Sequence, residues 1–305
     1  MNINQLRYFV TVVDLGSYRK AAELLSISQP ALSNSIRTLE EAFQVPLLER
    51  GKGGVKPTAY GTTVYHFFKS ALDSMKRARK EVEFLKKGAK GHVAVGAPTG
   101  MIDQLLPGII TKVSSRESRL TFSVKYGYLN ELLTDLRRGE LDFLLTPYWP
   151  GTDLSGDLQF EKYLDLRISI YARSEHPLAR KPSVGLEDLL AARWILPESA
   201  GMRTFLKQIF GDGPDTAVNW SITHDYPPFM IRMLMGLDLL SLIPDYTVSD
   251  WVKSGALRRV NYPAFAPKLP AGLISVASRS LTPAMKLFAE TAGVAARGMA
   301  SRLKG

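Results

Sequence analysis

Cysteine is absent from the 305 residues, and histidine occurs only four times. Without cysteine the chain can form no disulfide, no zinc finger and no thiol nucleophile. The histidines are His66, His92, His176 and His224. Their sequence positions indicate no pairing with a carboxylate and do not have the spacing of a metal site. The nucleophile elbow Gly-x-Ser-x-Gly and the glycine fingerprints of nucleotide sites are also missing. We therefore predict no catalysis, no metal and no cofactor.

Long apolar runs are missing as well, and none reaches the length that crosses a bilayer. The start, Met1–Gln5, has no basic segment leading into an apolar core, which argues against a secretory signal. An apolar content of 45% is ordinary for a globular protein, and 305 residues accommodate two or three domains. We expect a cytoplasmic protein with no membrane partner.

Positive charge is concentrated at the beginning of the chain. Residues 1–90 hold 15 Lys and Arg against 8 Asp and Glu, a net +7, whereas the remaining residues contribute only +3. This distribution is typical of a polyanion-binding head on a nearly neutral body. Ribosome-associated and membrane-surface proteins carry a similar bias, so charge alone leaves those classes open.

Apolar residues spaced by three and four predict three short helices in the first 45 residues. Gly16 ends the first helix, Ser17 and Ser28 cap the other two, and Pro30 is tolerated in the third helix's first turn. A tight turn between the last two helices makes a helix-turn-helix. The inward stripes are Leu6, Phe9, Val10 and Val13; Tyr18, Ala21, Ala22 and Leu25; Leu32, Ile36, Leu39 and Phe43.

The outer face of the third helix carries small polar side chains and one arginine, which suit hydrogen bonding to base edges in the major groove. By spacing alone, a solvated face in a plain three-helix bundle is an equal alternative. The DNA-contacting candidates here are Ser28, Gln29, Pro30, Ser33, Asn34 and Arg37.

A glycine-rich hairpin follows the three helices and strengthens the DNA interpretation. Pro46–Arg50 and Val55–Pro57 are predicted strands around a turn at Gly51–Gly54. Arg50, Lys52 and Lys56 would place cations along the phosphate backbone, as in a wing. The turn lacks the Walker spacing, so we discount a phosphate loop.

A long helix is predicted from Thr58, its cap, to about Lys87. Its apolar positions follow steps of four and three through Val64, Phe68, Ala71, Met75, Ala78, Val82 and Leu85. Three repeats of this heptad pattern favour a two-helix seam between two copies of the chain. The alternative is that the stripe packs on the protein's own body.

The remaining residues alternate between strand and helix patterns after a hinge at Gly88–Gly91, which predicts a mainly parallel α/β sheet in two lobes. The first lobe has strands Val93–Ala97, Leu120–Tyr126 and Leu141–Thr146, with helices near residues 101–114 and 130–138. The second has strands Leu166–Tyr171, Trp194–Leu196, Val218–Thr223 and Leu239–Ile243. Strand Ile274–Ala277 and a last helix beyond Thr282 return to the first lobe.

Open α/β sheets bind ligands at the carboxyl ends of their strands, so two lobes imply a cleft between them. Helix N-termini at Thr99–Met101 and Ala200–Met202 would present N–H groups to a carboxylate or similar anion. For Thr99 and Thr146 the alternative is ordinary capping; for Arg203 it is a surface charge, and for His224 a structural role. The cleft candidates are Pro98, Thr99, Gly100, Tyr128, Leu129, Thr146, Pro197, Glu198, Ser199, Ala200, Gly201, Met202, Arg203, His224 and Asp225.

Several segments resemble the signature of the LysR-type transcriptional regulators. The densest similarity lies in Ala21–Leu25, Ser28–Ser33, Ile36–Glu40 and Pro46–Arg50, and it continues in Gly91–Gly96, Leu105–Pro107, Gly139–Asp142, His176–Ala179 and Leu242–Pro244. Three positions depart from the pattern. Asn34-Ser35 replaces a frequent Arg-Gln pair, Gly100 replaces a Ser or Thr that touches the effector, and Asp238 replaces a frequent Gly.

The resemblance implies an α/β protein with an N-terminal winged helix-turn-helix, a long linker helix and a two-lobed effector domain similar to type 2 periplasmic binding proteins. The expected domains are residues 1–58, 59–90 and 91–305, with lobe I at about 91–163 and 269–305 and lobe II at about 164–268. Expected partners are double-stranded promoter or operator DNA, an anionic small-molecule effector and a homodimer or homotetramer, with RNA polymerase as a further candidate. A metabolic enzyme or a solute-binding protein with an accessory helix-turn-helix is the alternative.

Overall fold

The computed structural model describes residues 1–51, 54–149, 152–154, 157–197, 200–211, 219–224, 226–265 and 267–302. The chain forms two compact units. One comprises Met1–Ala89 with Ala277–Ser280, and the other comprises Lys90–Val276 with Leu281–Gly305. No helix in the described ranges is both long and apolar enough to span a membrane.

The first unit begins with three helices, α1 (Ile3–Leu15), α2 (Tyr18–Leu25) and α3 (Gln29–Phe43). Each predicted cap is confirmed. Gly16 ends α1 with a left-handed φ of 60°, the Ser17 hydroxyl accepts from the Lys20 N–H, and the Ser28 hydroxyl accepts from the Ala31 N–H. These hydroxyls satisfy N–H groups that a helix start leaves without an intrahelical partner, so local chemistry sets the boundaries.

The helices enclose a small apolar core. Phe9, Leu32, Ile36 and Leu39 are fully buried, as their spacing predicts. Phe43 was predicted to face inward as well, but it remains 38% exposed. It is the last residue of α3, so fewer neighbours cover its ring.

An antiparallel hairpin of β1 (Leu48–Gly51) and β2 (Gly54–Pro57) follows, with Leu48 paired to Pro57. Its entry is tied to α3 by one carboxylate: Glu40 Oε1 accepts from the N–H groups of Leu47 at 2.7 Å and Leu48 at 3.0 Å. The hairpin is also held to the end of α1, since the Val55 N–H donates to the Gly16 carbonyl at 2.9 Å. The hairpin is therefore anchored on two helices of its own unit.

The long helix α4 (Ala59–Lys86) starts at the predicted cap Thr58, whose hydroxyl accepts from the Gly61 N–H. Gly61 has no room for a side chain, because an added Cβ would lie 1.9 Å from the Leu47 carbonyl oxygen. The helix thus begins in close backbone contact with the residue preceding the hairpin.

The predicted seam along α4 needs a correction at its first two positions. Val64 and Phe68 pack into the core of the helix-turn-helix, where the Phe68 ring lies 5.7 Å from Phe9 and 6.0 Å from Phe43. A heptad pattern reports which residues share a face, and it does not report what covers them. The later seam positions are exposed: Ala71, Met75, Ala78, Val82 and Leu85.

The second unit contains a seven-stranded sheet. Its strands are β3 (Gly91–Ala97), β4 (Leu120–Tyr126), β5 (Phe143–Pro147), β6 (Leu158–Arg173), β9 (Ser241–Pro244), β10 (Leu257–Val260) and β11 (Lys268–Val276). Only the pairs of β3 with β4 and with β5 are parallel. The prediction of a mainly parallel sheet is therefore wrong for this sheet as a whole. The prediction did not include the two long strands β6 and β11, which run antiparallel to their neighbours.

Strand β6 belongs to both lobes of this unit. Its first part pairs with β11 up to Arg167, and from Ile168 onward it pairs with β9 and β10. The second lobe also holds the parallel pair of β7 (Arg193–Pro197) and β8 (Asn219–His224). The lobes are thus connected through a continuous strand, as well as through the segment that joins β10 to β11.

Helices cover both lobes. They are α5 (Leu106–Arg116), α6 (Leu129–Arg137), α7 (Pro177–Arg180), α8 (Leu186–Ala191), α9 (Ala200–Phe210), α10 (Pro227–Gly236), α11 (Ser249–Lys253) and α12 (Pro283–Arg302). The single helix predicted near 101–114 is divided into a π-helical turn, Met101–Leu105, and α5. Pro107 has no N–H to donate back into the preceding turn, which accounts for the division.

Candidate DNA interface and effector cleft

The outer face of α3 presents the side chains that the sequence predicts for DNA contact. Gln29, Pro30, Asn34 and Arg37 are exposed, and Ser33 is half-buried. Ser28 is exposed too, but its hydroxyl already serves as the cap of α3. The buried stripe and the polar face are therefore on opposite sides of one 15-residue helix. A helix of this kind can enter the major groove without uncovering its core.

Two neighbours on α3 orient Arg37. Its Nη2 donates to Asn34 Oδ1 at 2.6 Å, and its Nε lies 3.7 Å from Glu41 Oε1. Both contacts are exposed, so water screens them and each contributes little stability. Arg37 can exchange them for a base or phosphate at low cost.

The hairpin carries the predicted cations of the wing. Lys56 is exposed on β2. Arg50 belongs to β1, but its side chain is outside the described part, as is the whole of Lys52. The positions of these two charges therefore stay predictions.

A cavity of about 180 Å³ lies between the two lobes of the second unit. The first lobe contributes residues that follow β3, β4 and β5, and the second contributes residues at the ends of β7 and β9 and on α10. This is the strand-end location that the alternation of strands and helices predicts. The lining residues are Pro98, Thr99, Tyr126, Gly127, Tyr128, Pro147, Trp149, Pro197, Pro227, Met230, Leu242, Ile243, Pro244, Tyr246 and Thr247.

Aromatic contacts hold the cavity walls. The rings of Tyr126 and Tyr128 meet edge to face with centroids 6.3 Å apart. Trp149 is held in the same way by Phe205 of α9, at 5.9 Å. Such edge-to-face arrangements are favoured by the ring quadrupoles, so each pair of rings stabilises its wall.

Tyr246 closes the cavity on the second lobe. It is buried, and burial raises the pKa of its hydroxyl above the usual value, so the hydroxyl stays protonated. Its ring packs against Gly100, where an added Cβ would lie 2.6 Å from Tyr246 Cε2. Gly100 also has a φ of +88°, which glycine adopts more easily than other residues. The departure from the family pattern at position 100 thus makes room for this ring.

The sequence-predicted cleft residues divide into three groups. Pro98, Thr99, Tyr128 and Pro197 line the cavity. Gly100 and Leu129 adjoin lining residues, and Thr146 is buried with its hydroxyl donating to the Pro147 carbonyl. The third group lies outside the described part: Glu198, Ser199 and Asp225 entirely, and the side chains of residues 200–203 at the start of α9 (Ala200, Gly201, Met202 and Arg203) and of His224 at the end of β8.

Sequence reasoning missed most of the apolar lining, because it searched strand ends for polar groups. The signal was nevertheless present: Pro147 and Pro244 each end a strand. Tyr126 likewise ends β4, and Trp149 follows β5 by two residues. A search for strand-end aromatics and prolines would have found these residues.

Comparison with known proteins identifies two domains. Residues 3–62 match the family of the bacterial regulatory helix-turn-helix protein, lysR family, and residues 86–296 match the LysR substrate binding domain. The RuBisCO operon transcriptional regulator of Allochromatium vinosum is 24% identical over 293 residues, which cover 95% of each chain. The alignments with three other curated regulators span 64–69% of their lengths.

Solved structures share the fold. Full-length LysG from Corynebacterium glutamicum with bound effector Arg has a TM-score of 0.64 at 18% identity, covering 98% of this chain and 99% of that chain. Full-length CbnR complexed with its target DNA has a TM-score of 0.54 at 18% identity, covering 97% and 100%. At these identities the likeness shows the fold alone.

The chain belongs to the LysR family of transcriptional regulators, with a helix-turn-helix domain and an effector-binding domain. Members of this family regulate transcription by binding DNA and are not enzymes. The family assignment therefore favours a transcriptional regulator over the two alternatives, a metabolic enzyme and a solute-binding protein with an accessory helix-turn-helix.

Proposed function

We propose that this regulator reads promoter or operator DNA with the outer face of α3 and with the hairpin. The observation that carries the proposal is the row of exposed polar side chains on α3 beside a basic hairpin, within a segment of net charge +7. Base readers in this proposal are Gln29, Pro30, Ser33, Asn34 and Arg37, with Ser28 capping the helix. The phosphate contacts are Arg50, Lys52 and Lys56.

Selection and sequencing of DNA fragments bound by the purified protein tests this division of roles. Gln29→Ala should relax the selected sequence at one position of each half-site, because a good base contact discriminates by about 1–3 kcal/mol. Lys56→Ala should weaken binding to all fragments equally and reduce the salt dependence. A Gln29→Ala protein that selects the wild-type sequence with unchanged stringency would refute the assignment.

For assembly, we propose that the second half of α4 pairs with a second copy of the chain. Support comes from large apolar side chains that remain exposed there: Met75 at 45%, Val82 at 49% and Leu85 at 51%. The working unit would be a homodimer, or a homotetramer built from dimers, with domains at residues 1–58, 59–90 and 91–305. We place it in the cytoplasm, where its DNA is, with RNA polymerase as a further partner.

Val82→Asp tests the pairing, because an unpaired charge in an apolar interface is costly. Sedimentation should show a shift toward monomer for Val82→Asp and none for Glu83→Ala, which alters the adjacent exposed residue. Equal dimerisation of both variants at low concentration would contradict the proposal.

For sensing, we propose that a small molecule with a carboxylate or other anionic group binds in the cavity and modulates DNA binding. The helical segment from Met101 begins two residues after Thr99, a lining residue, so backbone N–H groups at its start are close to the cavity. A ligand changes transcription only if it binds one state of the protein more tightly than another. The test is a DNA footprint with and without ligand: Thr99→Val should weaken the ligand response and leave ligand-free DNA affinity intact.

A further inference from the structure

We propose that the part of the effector that enters the cavity is a single aromatic ring, so that the effector class is the monocyclic aromatic acids. This inference rests on the proposed effector site and adds the chemistry of its occupant. It follows from the composition, the size and the polar end of the cavity.

The lining favours a ring over a polar chain. Among the 15 lining residues that the structure describes, four are aromatic, five are proline and none carries a charge. Tyr126, Tyr128, Trp149 and Tyr246 offer ring edges and faces against which a flat apolar group packs. An aliphatic chain lacks the flat face that packs against these rings.

Size restricts the occupant to one ring. The cavity measures about 180 Å³. A comparably apolar engineered cavity of ~150 Å³ in another protein holds benzene. A benzene ring with a small substituent therefore matches the size of this cavity, whereas a second fused ring would have to extend out through its open side.

One end of the cavity is suited to the polar substituent. Thr99 lines it beside Gly100, and the Oγ1 of Thr247, another lining residue, would be 2.9 Å from a Cβ at Gly100, so two threonines border the cavity near this glycine. A carboxylate on the ring would accept hydrogen bonds there, while the ring lies among the tyrosines and prolines.

The lobes also touch beside this end. Gly100 packs against Tyr246, and Gln104 Nε2 donates to Asp250 Oδ2 at 3.3 Å. A serine at position 100 would push the Tyr246 ring out of its place in the wall. Gly100 and Tyr246 therefore act together in setting ring specificity.

Calorimetric titration of the full chain with benzoate, salicylate, cyclohexanecarboxylate, succinate and 1-naphthoate tests the proposal. Benzoate or salicylate should bind at least about tenfold more tightly than succinate and 1-naphthoate, with cyclohexanecarboxylate between them. Tyr128→Ala should weaken binding of the better aromatic acid by about tenfold, and Tyr128→Phe should restore it.

Tyr128 suits this test because it is 42% exposed, so its removal leaves the fold intact. Phe229→Ala is the matched control, since Phe229 is equally exposed on α10 and does not line the cavity. Succinate binding as tightly as the aromatic acids, or no aromatic acid binding at millimolar concentration, would overturn the ring proposal. If an aromatic acid binds as expected and DNA binding does not respond, the ring proposal stands and the proposed regulatory function fails.

Discussion

Phe68 offers a sharp test of how the DNA-binding unit is held together. Its ring is 6% exposed and contacts Phe9 and Phe43, whereas its neighbour Phe67 is 71% exposed. Truncating a buried Phe to Ala costs about 3–5 kcal/mol, which includes the cavity it leaves. Domains of this kind are stable by only about 5–15 kcal/mol. Phe68→Ala should therefore remove a large fraction of the stability of this unit, and Phe67→Ala should leave it nearly unchanged.

The two units can be followed separately during urea unfolding. All four tryptophans, Trp149, Trp194, Trp220 and Trp251, lie in the second unit, so tryptophan fluorescence reports that unit alone. Far-ultraviolet circular dichroism reports both units. Phe68→Ala should produce an early circular-dichroism transition with the fluorescence transition unchanged.

Equal unfolding of Phe68→Ala and Phe67→Ala would refute this reasoning. Phe68 would then belong to the interface between two copies of the chain, as the heptad pattern predicts. Protein concentration separates the two cases. Substitution of a core residue lowers the stability of the unit equally at every protein concentration. Substitution of an interface residue lowers it more as the protein is diluted.

Three further predictions concern single residues that the structure explains. Gly61→Ala should lower the melting temperature of the first unit and displace the hairpin, because its Cβ would meet the Leu47 carbonyl oxygen at 1.9 Å; normal stability would contradict this contact. Glu40→Ala should cost about 1.5–3 kcal/mol in urea unfolding, since two backbone N–H groups lose a charged acceptor, and Glu40→Gln should cost less. Burial holds the pKa of His176 below its usual value, and its Nδ1 accepts from the Leu178 N–H. The unfolded chain therefore binds a proton below pH about 6.5 that the folded chain resists, and the second unit should lose stability there. His176→Gln should flatten this fluorescence-detected pH dependence, and an unchanged slope would contradict it.

Local chemistry made the first unit largely predictable. The helix boundaries are set by Gly16, Ser17 and Ser28, and the apolar spacing of the helices is regular. The sequence alone therefore locates the helix-turn-helix. What covers an apolar stripe is a tertiary question, which is why Val64 and Phe68 were assigned to a partner copy. The same face of α4 is core at one end and exposed at the other.

The effector cleft was predictable in location and much less so in chemistry. Alternating strands and helices predict a cleft at strand ends, and Thr99 and Tyr128 are found there. Trp149 and Tyr246 were missed because their places depend on contacts distant in sequence, with Phe205 and Gly100 respectively. Short apolar segments such as Leu242–Pro244 give no local sign of whether they line a cavity or fill a core.

Fluorescence anisotropy of a labelled promoter fragment tests the central claim, that α3 reads DNA, most directly. Arg37→Ala should weaken specific binding and lower the ratio of specific to nonspecific affinity, because Arg37 is the cation exposed on the polar face. Arg116→Ala removes the same charge from an exposed position on α5 in the other unit and should leave that ratio unchanged. If Arg37→Ala retains the wild-type ratio, or if Arg116→Ala lowers it equally, α3 is not the reading helix.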